Sequence, residues 1–396
     1  MKLLQKVFDD LKPNFEKGAK WEKFYTIYEG HRTIFFKPDI VTSPKGVQIR
    51  DAGDLKRMMM TVIIAMVPCL LFGMWNIGYQ HYLAVGLESS LLDNFLYGAI
   101  KTLPIIVVSY GVGLLVEFIF CVIRNHPVEE GYLVTGLLIP LVMPPTIPLW
   151  QVALATVFAV IIGKEVFGGT GMNILNVALT ARAFLYFAYP SQISGDVWTS
   201  IGDSPPVDGY SGATMLAYGA EAAATGNSLP TLIQGHWADG MFNTWNLFLG
   251  NIPGSIGETS VLMCLIGAAI LIFTRVGSWK IIFSVFFGAF IMGLLFNLVG
   301  SNPFMAMPAH NHLLIGGLAF GAVFMATDPV SAAHTETGKW IYGFLIGVLT
   351  VLIRVVNPAY PEGIMLAILF MNVFAPLIDY FVVESNKKRR LQRATV

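Results

Sequence analysis

The run Ala183–Thr274 contains no lysine or arginine, and near its middle stands Asp208-Gly-Tyr-Ser-Gly-Ala-Thr214. The same run carries six acids, Asp196, Asp203, Asp208, Glu221, Asp239 and Glu258. In a chain this hydrophobic, a long loop without basic residues reads as one carried to the outer side of a membrane, because lysine and arginine retain loops in the cytoplasm. The run therefore fixes the topology of what surrounds it and places a Ser-Gly-Ala-Thr motif in the outer compartment.

Of the 396 residues, 55% are hydrophobic and 13% charged, and the mean hydropathy is +0.64. A soluble chain of this length needs far more charge to cover its surface, so the composition defines a polytopic protein of the lipid bilayer. The formal net charge of zero hides an asymmetry. Twelve of the 25 basic residues lie in Met1–Arg57 and five more in the tail Glu384–Val396. Both ends are expected in the cytoplasm. Interspersed acids and the membrane context make these ends topology signals rather than a nucleic-acid interface. The N-terminus lacks a short apolar core followed by a small-residue cleavage site and does not read as a signal peptide. Cys69, Cys121 and Cys264 lie far apart in apolar segments without a CxxC pair; they read as core packing rather than metal or iron–sulfur ligands.

Residues 1–55 mix lysines with Phe15, Trp21, Phe24, Tyr25 and Tyr28 and read as a cytoplasmic or interfacial extension. Ten apolar segments follow, at approximately 58–79, 96–123, 131–143, 149–163, 173–189, 259–274, 281–299, 312–326, 340–356 and 363–383. Several fall short of the roughly 20 residues a simple span needs. Those near Pro140, Pro144 and Pro148, and near Pro329, are expected to be broken or half-spanning. Ten crossings return the chain to its starting side, and the small loops agree: Arg124, Lys164, Arg275, Lys280 and Lys339 fall on the side of the termini. That leaves Lys101 and Arg354 at outer helix ends and Arg182 within a span.

A short internal repeat relates Thr135-Gly-Leu-Leu and Pro145-Thr-Ile-Pro148 to Gly316-Gly-Leu-Ala and Ala326-Thr-Asp-Pro329 at an offset of 181. Gly171-Met-Asn-Ile-Leu similarly matches Gly363-Ile-Met-Leu-Ala. With five spans per half, the second half must insert upside down relative to the first, a plan transporters use to build a site near the midplane. The expected fold is an all-α membrane bundle of about ten transmembrane helices in two inverted five-helix repeats. Its divisions are the extension 1–55, a first repeat 56–190, an outer loop 191–257, a second repeat 258–383 and a basic cytoplasmic tail 384–396.

Thr214 is the residue with distinctive chemistry. Its hydroxyl is a weak nucleophile, but esterified to a flavin phosphate it becomes a permanent tether. Gly212 and Ala213 leave room for a bulky donor. Taken alone, Ser211-Gly-Ala-Thr214 reads as a turn before a helix start rather than a tether; its place in an acidic outer loop, with Asp208 upstream, shifts the reading toward the tether.

The motif Asp208-Gly-Tyr-Ser-Gly-Ala-Thr214 resembles the signature on which a flavin transferase attaches FMN through a phosphoester to the threonine. The chain around it is similar to the NqrB family of Na⁺-translocating NADH:quinone reductases. The likeness is carried by Asp54-Leu-Lys-Arg57, Lys164-Glu-Val-Phe-Gly-Gly-Thr-Gly171, Gly250-Asn-Ile-Pro-Gly-Ser-Ile-Gly-Glu258, Phe324-Met-Ala-Thr-Asp-Pro-Val-Ser331 and Arg354-Val-Val-Asn-Pro-Ala-Tyr-Pro-Glu-Gly363. The resemblance implies FMN esterified to Thr214 within the motif residues Asp208, Ser211, Gly212 and Ala213, and a second, non-covalent riboflavin. It also implies a place in a six-subunit complex, maturation by a flavin transferase, electron delivery from a neighbouring protein of that complex, ubiquinone as acceptor and Na⁺ as transported ion. The sister family, RnfD of the ferredoxin:NAD⁺ complexes, shares the motif but usually lacks so long an N-terminal extension.

An ionisable group inside a span is costly and by default a functional candidate. Glu130, Asp328 and Asp379 all fall toward the cytoplasmic side. With Gly136 they are candidates for a cation or quinone path, since a hard cation takes carboxylate and freed carbonyl oxygens. Asp328 serves equally as the cap of the turn before Pro329. Glu117 and Arg182 read as a structural ion pair. Gly168-Gly-Thr-Gly171 lacks the spacing and the Lys-Ser/Thr of a phosphate loop and reads as a sharp turn. His310 and His312 are expected at the interface, and Trp198, Tyr210, Trp237 and Trp245 are aromatics available to a flavin ring. A channel or secondary transporter without redox chemistry shares the inverted-repeat plan; a covalent chromophore separates the two.

Overall fold

The computed structural model describes residues 2–16, 18–36, 45–47, 55–124, 131–202, 206–207, 210–233, 240–357 and 360–394. Asp208, Glu130 and Trp237 lie outside the described residues. Among the described residues there is no strand. The chain is an all-α polytopic membrane protein.

Two short helices precede the bundle, α1 (Lys2–Leu11) and α2 (Tyr25–Phe35). Tyr28 joins them: its hydroxyl donates to the Phe8 carbonyl at 2.7 Å, and Phe15 stacks on its ring at 5.0 Å. The first half of the bundle is α3 (Leu55–Val85), α4 (Leu91–Arg124), α5 (Gly131–Leu141), α6 (Leu149–Gly163) and α7 (Val177–Ala188). The loop that follows carries α8 (Met215–Thr225), α9 (Leu229–Ile233) and α10 (Thr244–Leu249). The second half is α11 (Val261–Phe273), α12 (Trp279–Val299), a broken segment, α15 (Glu336–Val356) and α16 (Ile364–Ala394). The broken segment comprises α13 (Asn311–Leu314), α14 (Leu318–Phe320) and a π-helical turn, Gly321–Met325.

Six of these helices are long and apolar enough to cross a membrane, and α5, α7 and α11 are shorter apolar helices. With the broken segment they account for all ten apolar stretches of the sequence. Three helices run past the apolar stretches of the sequence. The basic tail is not a separate element: α16 runs without interruption through Lys387–Arg390 to Ala394, because these residues are good helix formers and need only leave the apolar layer. Similarly, α3 and α4 extend beyond their apolar cores to 31 and 34 residues.

The halves interlock at their irregular segments. Pro140, Pro144 and Pro145 stop α5 early, which frees carbonyls in the apolar layer, where they must find donors. The loop before α11 supplies them: Gly257 N–H donates to the Leu141 carbonyl at 2.7 Å and Ile256 N–H to that of Met143 at 3.1 Å. Asn76 on α3 holds the same loop through the Ile252 carbonyl at 2.9 Å. In the second half, Arg354 plays the satisfying role. Fully buried at the end of α15, it donates to the carbonyls of His312 (2.6 Å), Ile315 (2.9 Å) and Glu362 (2.9 Å). Arg354, expected at a helix end, does lie in the last turn of α15, where it caps the break between α13 and α14. Elsewhere the halves follow small-residue packing: a Cβ on Gly347 of α15 would lie 2.1 Å from the Val285 carbonyl of α12.

Candidate functional site

Two clefts open on opposite faces of the bundle. The first lies on the face that carries Thr214. Its walls come from the end of α7 (Arg182, Tyr186), the loop with Trp198, the start of α8, residues 252–259, Gly316 and the turn Tyr360–Glu362. Both halves therefore contribute.

Thr214 is the N-cap of α8: its backbone is extended (φ −87°, ψ 164°) and its hydroxyl accepts from Ala217 N–H at 3.4 Å. Capping leaves the side chain half-buried and on the cleft wall. The first turn of α8 points its free N–H groups toward the same spot, and a helix N-terminus favours an anion such as a phosphoester. The preceding residues hold this turn in place. Ser211 donates to Asp196 Oδ1 at 3.3 Å and accepts from Ala213 N–H at 3.3 Å. Gly212 is buried, and a Cβ there would sit 2.6 Å from the Asp196 carbonyl. Only glycine allows this approach. Nearby, burial pushes the Tyr210 phenol up to about 12, so it stays neutral across the physiological range.

Charge is concentrated in the floor of this cleft. Arg182, 2% exposed, donates to Glu258 at 2.8 Å, to Ser255 at 3.3 Å and to Glu362. Its guanidinium lies 6.0 Å from the centre of the Trp198 ring. Tyr360 donates to Glu362 at 3.3 Å and packs edge-on against Tyr186 at 4.4 Å. The expected Glu117–Arg182 pair is not formed. Glu117 pairs with Lys164 instead, both side chains under 5% exposed. The reason is vertical position: Glu117 and Lys164 belong to the face of the chain ends, Arg182 to the opposite one.

The second cleft lies at the face of the chain ends. It is lined by Met58, Thr135, Lys164, Thr170, Asn173 and Asp328 among others. Thr170 Oγ1 is buried without a hydrogen-bond partner. The Gly168–Gly171 segment is the sharp turn expected, with Gly168, Gly169 and Gly171 all at positive φ. Asp328 Oδ2 accepts from Ser331 Oγ at 2.8 Å and Oδ1 from Val330 N–H at 3.2 Å, the turn-capping arrangement. Asp379 lies elsewhere. Its carboxylate accepts from His334 N–H (2.7 Å), Thr335 N–H (3.0 Å) and Thr335 Oγ1, and so latches the start of α15. Gly136 packs inside α5, where a Cβ would meet the Tyr110 ring at 2.8 Å, and its carbonyl accepts from Ser109 at 2.9 Å.

Of the aromatics singled out from sequence, Trp198 lines the first cleft; Trp245 is 66% exposed and does not. His312 is not interfacial but fully buried, beside Phe304. Among the described residues no group of three His, Cys, Asp or Glu is placed to hold a metal ion. Tyr186, Tyr360, Glu258 and Glu362 were not singled out from sequence. The strings Gly250–Glu258 and Arg354–Gly363 marked where three of them lie, but not that they converge.

The fold and the two clefts define a helical membrane protein with a Ser-Gly-Ala-Thr motif at a cleft shared by its halves. The chain belongs to the NQR2, RnfD, RnfE family, which it matches over residues 42–388. It is 50% identical to the NqrB subunit of the Na⁺-translocating NADH-quinone reductase of Chromohalobacter salexigens, over 98% of this chain and 96% of that one. It is 50% identical to the protein of the same name from Ectopseudomonas mendocina, over 97% and 98%. The counterpart in Klebsiella pneumoniae subsp. pneumoniae is 48% identical over 98% of this chain and 99% of that protein.

Proposed function

We propose that this chain is the flavin-bearing membrane subunit of a Na⁺-translocating NADH:quinone reductase of a bacterial inner membrane. In this reading both termini are cytoplasmic, Thr214 faces outward and FMN is attached to its hydroxyl by a flavin transferase. The observation that carries the reading is Thr214 itself: a half-buried N-cap threonine at the mouth of a cleft, in a chain whose full-length relatives carry the name of a Na⁺-translocating NADH-quinone reductase subunit. Basic residues retained at both ends and absent from Ala183–Thr274 support the orientation.

The residues present suit the group. A phosphoester carried on the Thr214 hydroxyl would lie beside the positive end of α8, of which Thr214 is the N-cap. Tyr186, Trp198 and Tyr360 offer flat apolar walls for an isoalloxazine. Bound there, the flavin supplies one-electron transfer; the protein fixes its place and excludes water. The second cleft suits a neutral riboflavin, with Thr135, Thr170 and Asn173 as polar partners and Met58 and Phe324 as apolar walls. Of the candidates for the cation or quinone path, Asp328 is the one on this cleft; Glu130, Gly136 and Asp379 remain proposed for the same face. In this reading the residues around Thr214 would hold the flavin that relays electrons from neighbouring proteins of the complex towards ubiquinone on the cytoplasmic side, coupled to Na⁺ translocation.

The test is in-gel ultraviolet fluorescence of the denatured chain, expressed with a flavin transferase, wild type against Thr214→Val. Fluorescence in the wild type that vanishes in the variant is the expected result. A dark wild-type band, with the transferase active on another substrate, overturns the reading.

A further inference from the structure

Arg182 is held in a way that packing alone does not demand. Burying one guanidinium with two carboxylates in an apolar layer seldom adds stability over hydrophobic residues of similar size, and inside a membrane such groups are retained for a task. The cluster draws on distant parts of the chain: Arg182 from α7, Glu258 from the loop before α11, Glu362 from the turn before α16. Arg354 closes it, donating to the Glu362 carbonyl. Two cations and two carboxylates thus balance to zero beneath the cleft that Thr214 borders. Ser255 and Trp198 further fix the guanidinium, so it has little freedom to reorient when charge nearby changes.

We infer that Arg182, Glu258 and Glu362 set the reduction potential of the redox group in the Thr214 cleft, with Arg182 favouring the reduced form and the two glutamates opposing it. The inference rests on the reading of Thr214 as a flavin tether. Its physics is electrostatic. An electron passes from a reduced flavin or iron–sulfur donor in a neighbouring protein of the complex to the isoalloxazine; no bond forms or breaks, and with no proton following, one negative charge is added to the cleft. A fixed cation in a water-poor site stabilises that charge without reorganising, and an unbalanced carboxylate opposes it. Balance at zero leaves the potential intermediate, as a relay between donor and acceptor requires. Arg182, Glu258 and Glu362 are positioning residues: they act on the potential and exchange no electron.

The sign pattern is the test. The full chain, flavinylated by co-expression, is titrated spectroelectrochemically, with the Thr214→Val chain subtracted to isolate the covalent flavin. Arg182→Gln leaves the cluster one charge negative and is expected to lower the reduced-to-oxidised ratio at fixed potential by about tenfold, a midpoint shift of about 59 mV for one electron. Glu258→Gln moves it the opposite way by a similar factor. Glu362→Gln moves it in the same direction as Glu258→Gln but less, because its side chain is 18% exposed against 7% for Glu258. If Arg182→Gln does not accumulate, the two glutamate variants decide, and both must raise the ratio. Fluorescent chains whose midpoints are unchanged, or shift in one direction for all three variants, overturn this inference and leave the tether standing. A dark wild-type band overturns the tether, and this inference with it.

Discussion

Cys69 on α3 and Cys264 on α11 meet at the centre of the bundle, their Sγ atoms 3.8 Å apart. Each sits on the opening helix of its half, and each is at most 1% exposed. The halves therefore touch through a pair of thiols sealed from both aqueous faces. Cys121 is buried as well, at 3%.

A water-soluble maleimide is expected to label none of the three cysteines in the folded chain and all three after denaturation in detergent. Mass spectrometry of labelled peptides measures this. Rapid labelling of Cys69 or Cys264 in the native protein would mean that α3 and α11 part in the folded state.

Thr214 has a structural duty apart from any tether. Thr214→Val removes the α8 N-cap and is expected to cost about 1 kcal/mol, whereas Thr214→Ser keeps the acceptor and costs a few tenths. Reversible denaturant titration in mixed micelles checks the order of the two variants.

Gly212→Ala is expected to abolish flavin attachment while the chain still folds. The new methyl would meet the Asp196 carbonyl, so the Ser211–Thr214 turn must move and carry the Thr214 hydroxyl with it. In-gel fluorescence at matched protein amount is the readout, with Ala224→Ser, at an exposed site near the end of α8, as the control that retains signal.

Arg354→Met is expected to destabilise the chain by about 3 kcal/mol or more, since it strands two buried carbonyls and a third that is partly buried. Arg354→Lys should recover little, because one ammonium on a flexible stem cannot reach acceptors spread around a planar fork. Equal stability of the lysine variant and the wild type would show that charge, not the fork, is what matters.

Lys164→Met and Glu117→Gln should each cost about 3–5 kcal/mol, and the double variant much less than their sum. Each single change leaves a charge alone where both side chains are under 5% exposed. A double-mutant cycle gives the coupling; strict additivity would mean that water reaches the pair.

The order of helices was legible because apolar runs and basic loops record how often the chain crosses the membrane. Pro140 and Pro144 announced the early stop of α5, and Pro329 the end of the broken segment. The π-helical turn at Gly321–Met325 left no such mark, since it arises from a one-residue shift of backbone hydrogen bonding, as in Ala326 N–H to the Gly321 carbonyl. Pairing was the harder problem. Arg182 finds Glu258 and Glu362 across 76 and 180 residues, and hydropathy, which averages over neighbours in sequence, does not register such distances. The same blindness paired Glu117 with Arg182, when their heights in the bilayer keep them apart. Thr214 was legible for the opposite reason: its motif is contiguous, and a short helix start needs only the residues beside it.

The bonds from Ile256 and Gly257 to the Met143 and Leu141 carbonyls bear on how the chain is made. A ribosome delivers residue 143 more than a hundred residues before the partners that α5 needs. Until they arrive, the nascent first half sits in the bilayer with open polar ends at the point where α5 stops. The first five segments are thus an assembly intermediate awaiting the chain that completes them, and a cell that loses translation before Gly257 is left with a fragment suited to degradation rather than to use.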